Sequence, residues 1–194
     1  MEVMKCIQLE KEVAGHSLFT IKQLSLQGGQ KIGLVGSNGT GKISFVRKLI
    51  SKELEGYYNP KLKIAYFSQD LTSLNEEETA FVNASSTSLQ DRVTVLNLLG
   101  MLGLSYDKAQ QKVANLSGGE RVRLSLAKVL LSDANFLIVD EPTNYLDLTA
   151  IEALEKFLQD YQGSVLLISH DQRFVESVVH RKWLVENCQL VQRL

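Results

Sequence analysis

The chain has 194 residues, of which 44% are hydrophobic, enough for one substantial domain with a sizeable buried core. Its 21 basic and 22 acidic side chains leave a formal net charge of -1, so no global attraction for nucleic acid is built in, and only a local basic patch could supply one. Cys6 and Cys188 lie near opposite ends, with no CxxC spacing and no Cys/His cluster, and read as two free thiols in a reducing cytosol.

In chain order, short β-like runs come first: Cys6 to Leu9, Leu18 to Ile21 and Leu24 to Leu26. Gly28-Gly29 marks a turn before KIGLV, which reads as a buried strand ending near Gly36. From Ile43 to Lys52 the apolar positions 43, 45, 46, 49 and 50 fit a helix with one buried face. KIAYFSQ is a further strand ending at Gln69. The polar stretch from Asp70 to Asp91 reads as loop or an exposed, weakly specified helix. Arg92 to Leu104 is an apolar helix that Gly100 and Gly103 end or interrupt. Leu116 to Leu131 reads as loop then amphipathic helix. Phe136 to Val139 and Val165 to Ile168 are continuous apolar runs suited to a sheet buried on both faces. Ile151 to Tyr161 is the helix between them. The tail WLVENCQLVQ reads as a hairpin with Asn187-Cys188 at its turn. No run reaches the ~20 apolar residues of a membrane span, and the charged start is unlike a signal peptide. The expected location is the cytoplasm, and docking on a separate membrane protein stays open.

Four strings carry chemistry. GSNGTGKIS, from Gly36 to Ser44, follows a strand and opens a helix. Its glycines, Gly36, Gly39 and Gly41, let the backbone fold so that amides from Gly36 through Ser37, Asn38, Thr40 and Gly41 cradle phosphate oxygens. The helix that follows adds its N-terminal dipole. Lys42 is placed to reach the β- and γ-phosphates. One residue departs from the pattern G-x-x-x-x-G-K-(S/T). Ile43 stands where a hydroxyl should ligate Mg²⁺. Isoleucine offers no oxygen, and Ser44 is turned about 100° away around the helix. Water could fill the position, since Mg²⁺ keeps several waters, but the bulk of Ile43 crowds it. Nucleotide binding should therefore survive in part, while Mg²⁺-dependent hydrolysis should fall by at least roughly 10–100-fold.

The second string is FLIVDE, whose acidic pair closes a strand. Asp140 is the candidate metal ligand and Glu141 the candidate base for an attacking water. The third is LSGGE, where Ser117, Gly118 and Gly119 at a helix N-terminus form a second anion site. The fourth is LLISHD, which places His170 just past a strand.

Together, in this order, the strings resemble the nucleotide-binding domain of an ATP-binding cassette (ABC) protein. The resemblance implies an α/β fold, a P-loop NTPase of ABC type. It would have a mixed-sheet core, a β-rich N-terminal subdomain and a small helical subdomain, at roughly 70–116, carrying the signature motif, all within one domain spanning 1–194. It implies ATP and Mg²⁺ as ligands. It makes Gln69 the Q-loop residue sensing metal and water, and His170 the switch contact to the γ-phosphate. It makes Ser117 to Gly119 the signature that faces another domain's nucleotide, with Asp147 at that interface. A second nucleotide-binding domain, from the same polypeptide or a homodimer mate, is then an obligatory partner. No clear counterpart exists for the family's adenine-stacking aromatic; the nearest register offers Val13 or Ala14, with Phe19 further on.

DEPTNYLD and LSGGERVRLSLAKVLL resemble the ABC-F branch, soluble ATPases acting at the ribosome in translation or antibiotic resistance, and fit best the second domain of such a protein. Tyr145 stands where that branch usually has His. The short interval from Gln69 to Ser117 disfavours a membrane partner. Three readings stay open: an ABC-F type ATPase, a transporter's ATPase subunit, and a catalytically weak ATP-binding module.

Overall fold

The computed structural model describes residues 2–13, 16–37, 39–68, 71, 73–186 and 189–193, with side chains for all of these except 6–13, 16–23, 186 and 189–193. The chain runs β1 (Glu2–Val13), β2 (His16–Gln27), β3 (Lys31–Val35), α1 (Lys42–Ile50), β4 (Gly56–Tyr58), β5 (Ile64–Phe67), α2 (Ala80–Ser85), α3 (Arg92–Met101), α4 (Tyr106–Gln110), a 3-10 turn at Val113–Asn115, α5 (Gly118–Leu130), β6 (Phe136–Asp140), α6 (Leu148–Asp160), β7 (Ser164–Ile168), α7 (Gln172–Val178), β8 (Arg181–Glu186) and β9 (Gln189–Arg193).

Among the described residues, nine strands form one sheet in the order β4-β1-β2-β9-β8-β3-β7-β6-β5. Its β3-β7-β6-β5 half is parallel. Alternation along these strands divides the interior in two. Phe136, Ile138, Leu166 and Ile168 pack under α1 with Phe45, Val46 and Leu49. Leu137, Val139, Val165 and Leu167 pack on the opposite face with residues of α5, α6 and α7. Every side chain of these two runs is buried, which is why neither alternates polar with apolar.

The outer half is mixed: β4-β1, β1-β2 and β9-β8 pair antiparallel, and β2-β9 pairs parallel. The first three β-like runs of the sequence merge into two twelve-residue strands, β1 and β2, paired along their length. β4 pairs with β1, and its three residues leave no legible period. β8 and β9 form the expected hairpin, with Glu186 opposite Gln189. Its Asn187-Cys188 turn lies outside the described residues.

The polar stretch from Asp70 to Asp91 differs from expectation. It contains α2, whose inner face, Ala80, Asn83 and Ala84, is buried. Asn83 is only 3% exposed. Its carboxamide accepts from Asn75 N at 2.8 Å and donates to the carbonyls of Asn75 (3.0 Å) and Thr79 (3.1 Å). Full satisfaction is what makes burial of a polar residue tolerable there. Gly103, at φ 78, closes the turn after α3 as its sequence position suggested. Ser117 caps α5 through a capping box with Glu120. Asp147 caps α6, accepting from Ala150 N at 2.8 Å, so that helix begins three residues before the apolar pattern becomes evident.

At the end of the sheet away from the glycine loop, Lys31 is 4% exposed. Its ammonium donates to the carbonyls of Gly29 (3.3 Å), Tyr161 (2.5 Å) and Gly163 (3.0 Å), tying β3 to the turn that leads into β7. Among the described residues, no helix is long and apolar enough to cross a membrane.

Candidate functional site

The glycine loop joins β3 to α1 at the C-terminal edge of the parallel strands, the usual crevice for ligands in such sheets. Two features of the loop need glycine. A Cβ on Gly36 would sit 2.5 Å from the backbone oxygen of Val185, so the loop lies directly against β8. Gly41 has φ 94 and is the N-cap of α1. The helices α2 to α7 all have a Thr, Asp or Ser side chain accepting from their first turn. Among the described residues α1 has none, so its first amides are unclaimed by any described side-chain cap and can meet an anion.

Lys42 folds back over the loop, its ammonium donating to the carbonyls of Gly36 (2.5 Å) and Ser37 (2.9 Å). Burial pushes its pKa down, and the nearby Glu141 and Asp140 carboxylates oppose that shift. Thr40 Oγ1 donates to Ser37 O at 2.8 Å and braces the same turn. Gly39 has φ 80 and open space beside it. Asn38 lies outside the described residues, as does Gln69. The positions named for adenine stacking fall outside the described side chains.

Lys42, Gly36, Glu141, Ser169 and His170 line one cleft of about 190 Å³. Glu141 has φ 49, a left-handed backbone that non-glycine residues seldom adopt. A bond from its N–H to Ile168 O at 2.8 Å holds that conformation. The turn brings the carboxylate over β7, where Oε2 accepts from His170 N (3.3 Å) and Ser169 Oγ (3.5 Å). His170 Nε2 lies 3.5 Å from Oε1. The strand ends thus bring the acid and the histidine together.

Asp140 ends β6 on the α1 side of the sheet. Burial first, and the Glu141 charge second among the raising influences, push its pKa up, while the Tyr66 hydrogen bond, Lys42 and His170 oppose this. Tyr66 Oη donates to Asp140 Oδ2 at 3.3 Å. The Tyr66 phenol is pushed up to about 12, chiefly by burial and then by the Asp140 charge. Sequence reading missed Tyr66 and Ser169. The signal available was only that Tyr66 alternates onto the same face as Asp140 one strand away.

The remaining sequence candidates are not among the described residues lining this cleft. Ser117, Gly118 and Gly119 begin α5, and none is among the described residues lining it. Tyr145, at φ 71, lies against the signature, its Cδ1 3.7 Å from where a Gly119 Cβ would be. Ile43 is 53% exposed in the first turn of α1, with Ser44 beside it.

These donors fit a polyphosphate: unclaimed helix amides, one ammonium and a left-handed glycine loop. They also fit a divalent ion held by one carboxylate, phosphate oxygens and water. They do not supply a second protein oxygen at position 43.

The family profile described as "ABC transporter" matches residues 20–144. "ATP-binding protein Uup" of Buchnera aphidicola subsp. Schizaphis graminum (strain Sg) is 36% identical over 208 residues, covering 93% of this chain and 35% of that protein. "Ribosome protection protein VmlR" of Bacillus subtilis (strain 168) is 32% identical over 180 residues, covering 91% of this chain and 33% of that one. Among solved structures, "RNase-L Inhibitor" superposes with a TM-score of 0.81 at 27% identity, over 98% of this chain and 39% of that one. The chain spans about a third of the length of these two curated relatives. The phosphate loop, the acidic strand end, the signature helix and this similarity agree: the chain belongs to the ABC transporter family, as a nucleotide-binding domain of ABC-F type.

Proposed function

We propose that the chain binds and slowly hydrolyses ATP as one half of a paired site, and that ATP occupancy drives closure against a second nucleotide-binding domain. The observation that carries this is the convergence of Lys42, Glu141 and His170 on one cleft beside the glycine loop. The amides of Gly36 to Gly41 and of the α1 start hold phosphate oxygens, and Lys42 leaves its two carbonyls to neutralise them. Asp140 would hold Mg²⁺, which when bound would neutralise charge developing on the phosphates. Glu141, already fixed by His170 N–H, takes the proton of the attacking water, and His170 contacts the γ-phosphate. Gln69, two positions after Phe67 in the sequence, would serve metal and water. Ser117, the N-cap of α5, and Gly118 and Gly119 in its first turn are not among the described residues lining this cleft, and we assign them to the site of a partner domain.

Ile43 makes hydrolysis slow, because its exposed side chain brings no oxygen to the metal. For the wider role, we take action at the ribosome, in translation or antibiotic resistance, from the relative named a ribosome protection protein. The test is sedimentation of Glu141→Gln with and without ATP. A shift to a dimer with ATP, lost on adding Lys42→Ala, is expected. A monomer under both conditions would refute the closure reading, and ATP binding that survives Lys42→Ala undiminished would refute the assigned phosphate site.

A further inference from the structure

We propose that Tyr66 is a positioning residue for Asp140, its phenol holding one carboxylate oxygen so that the aspartate presents the other in a fixed orientation. The inference rests on the ATP-binding reading above and deepens its metal site.

The geometry begins in the strand register. In the parallel pairing of β5 with β6, Tyr66 lies opposite Ile138. Side chains two apart on a strand share a face, so Ile138 and Asp140 lie on the side where Tyr66 packs. That side is the core beneath α1, against which the half-buried Tyr66 ring rests. The packed ring sends its hydroxyl along the sheet to the carboxylate at the strand end, and Oη donates to Oδ2 at 3.3 Å. Ser68 hydrogen-bonds the same phenol from the last residue described before Gln69. Among the described residues, no other side chain donates to Asp140, and no donor occupies Oδ1.

Position matters more here than in a site with two protein oxygens. With isoleucine at 43, Asp140 is the single described carboxylate offered to the metal from a strand end facing α1. A carboxylate free to rotate would spend part of its time turned away, and the loss would fall wholly on metal affinity. Groups that orient a metal ligand through a hydrogen bond typically affect metal binding by about 10–100-fold on removal. The 3.3 Å length of this bond points to the lower end of that range.

The experiment is a fluorescence titration of wild type, Tyr66→Phe, Asp140→Asn and the double variant with an N-methylanthraniloyl ATP, in EDTA and in Mg²⁺. The quantity read is the gain in affinity that Mg²⁺ confers. For Tyr66→Phe the gain should fall about tenfold while affinity in EDTA stays within about twofold. In the Asp140→Asn background, Tyr66→Phe should cause no further loss. A gain retained by Tyr66→Phe overturns the inference, as does an equal loss in EDTA and Mg²⁺, which assigns Tyr66 to general structure, or an undiminished effect without Asp140. A wild-type chain that binds nucleotide with no Mg²⁺ gain also overturns it. A wild-type chain that binds none in either buffer overturns the ATP reading itself, and the two failures are thereby distinguished.

Discussion

Ile43→Ser should make the protein less stable and more active at once, and the opposite signs are what make it informative. Ile43 is 53% exposed, so its replacement forfeits about half of the ~1.5–3 kcal/mol that full burial of such a side chain contributes. Serine and isoleucine have similar intrinsic helix propensities, so the backbone adds little. The loss is then about 1 kcal/mol, which for a chain of this size lowers Tm by roughly 2–4 °C. The new hydroxyl meets no buried neighbour that must move, because the position is open to solvent. As a metal ligand it should raise Mg²⁺-dependent turnover at least about tenfold, equivalent to ~1.4 kcal/mol off the barrier. The assay is phosphate release across a protein concentration series, with and without Mg²⁺, beside thermal melting of both proteins. A rate rising more than linearly with protein, and faster for the serine variant, is expected from a site completed by a second copy. Equal turnover in the two proteins, with the Tm shift present, would refute the metal argument and show that water or another group serves the position fully.

Two further outcomes follow from the rest of the structure. Lys31→Met removes a cation that serves three carbonyls while keeping most of the chain's apolar length, and should cost about 2–3 kcal/mol, or roughly 5–10 °C in Tm, measured by calorimetry. The carboxylate of Glu120 is held below its ordinary pKa of 4.5, first by the N–H of Ser117 and then by Lys108. Because the folded pKa is depressed, its stabilising contribution is present above 4.5 and is lost as pH falls below that value and through the folded pKa. Denaturant melts of Glu120→Gln over that acid range should show a flatter pH dependence than wild type, and parallel curves would contradict the capping-box account.

The parallel half of the sheet was legible because its strands are buried on both faces. That condition forces the uninterrupted runs FLIV and VLLI, which no half-exposed strand would show. The glycine loop, Lys42, Asp140, Glu141 and His170 were legible for a related reason: each sits at a strand end or helix start, where chain order fixes its place. What escaped notice depends on neighbours distant in sequence. α2 is only six residues long and its apolar Val82 is exposed, while its inner side is completed by Asn83, whose burial is tolerated only because three bonds to Asn75 and Thr79 satisfy its amide. Lys31 opens a run read as a buried strand, but the distant carbonyls of Tyr161 and Gly163 that accept from its ammonium come into reach only when β3 is laid beside the turn carrying Gly163.

The left-handed backbone of Glu141 shows how the two kinds of information join. An acidic pair closing a strand would ordinarily alternate, sending Asp140 to one face of the sheet and Glu141 to the other. Such an arrangement would separate the proposed metal ligand from the proposed base. At φ 49, Glu141 leaves the strand conformation instead, anchored by its N–H on Ile168 O. Its carboxylate then reaches the cleft shared with Lys42 and His170, while Asp140 stays on the α1 face with Tyr66. A left-handed glutamate stores about 1–3 kcal/mol of strain. Strain of that size is retained where one side chain must turn away from its strand, and here the turn brings both acids to the same glycine loop. The identity of the residue pair is written in the sequence. Its cooperation around one ligand depends on a single backbone conformation that the neighbouring strand holds in place.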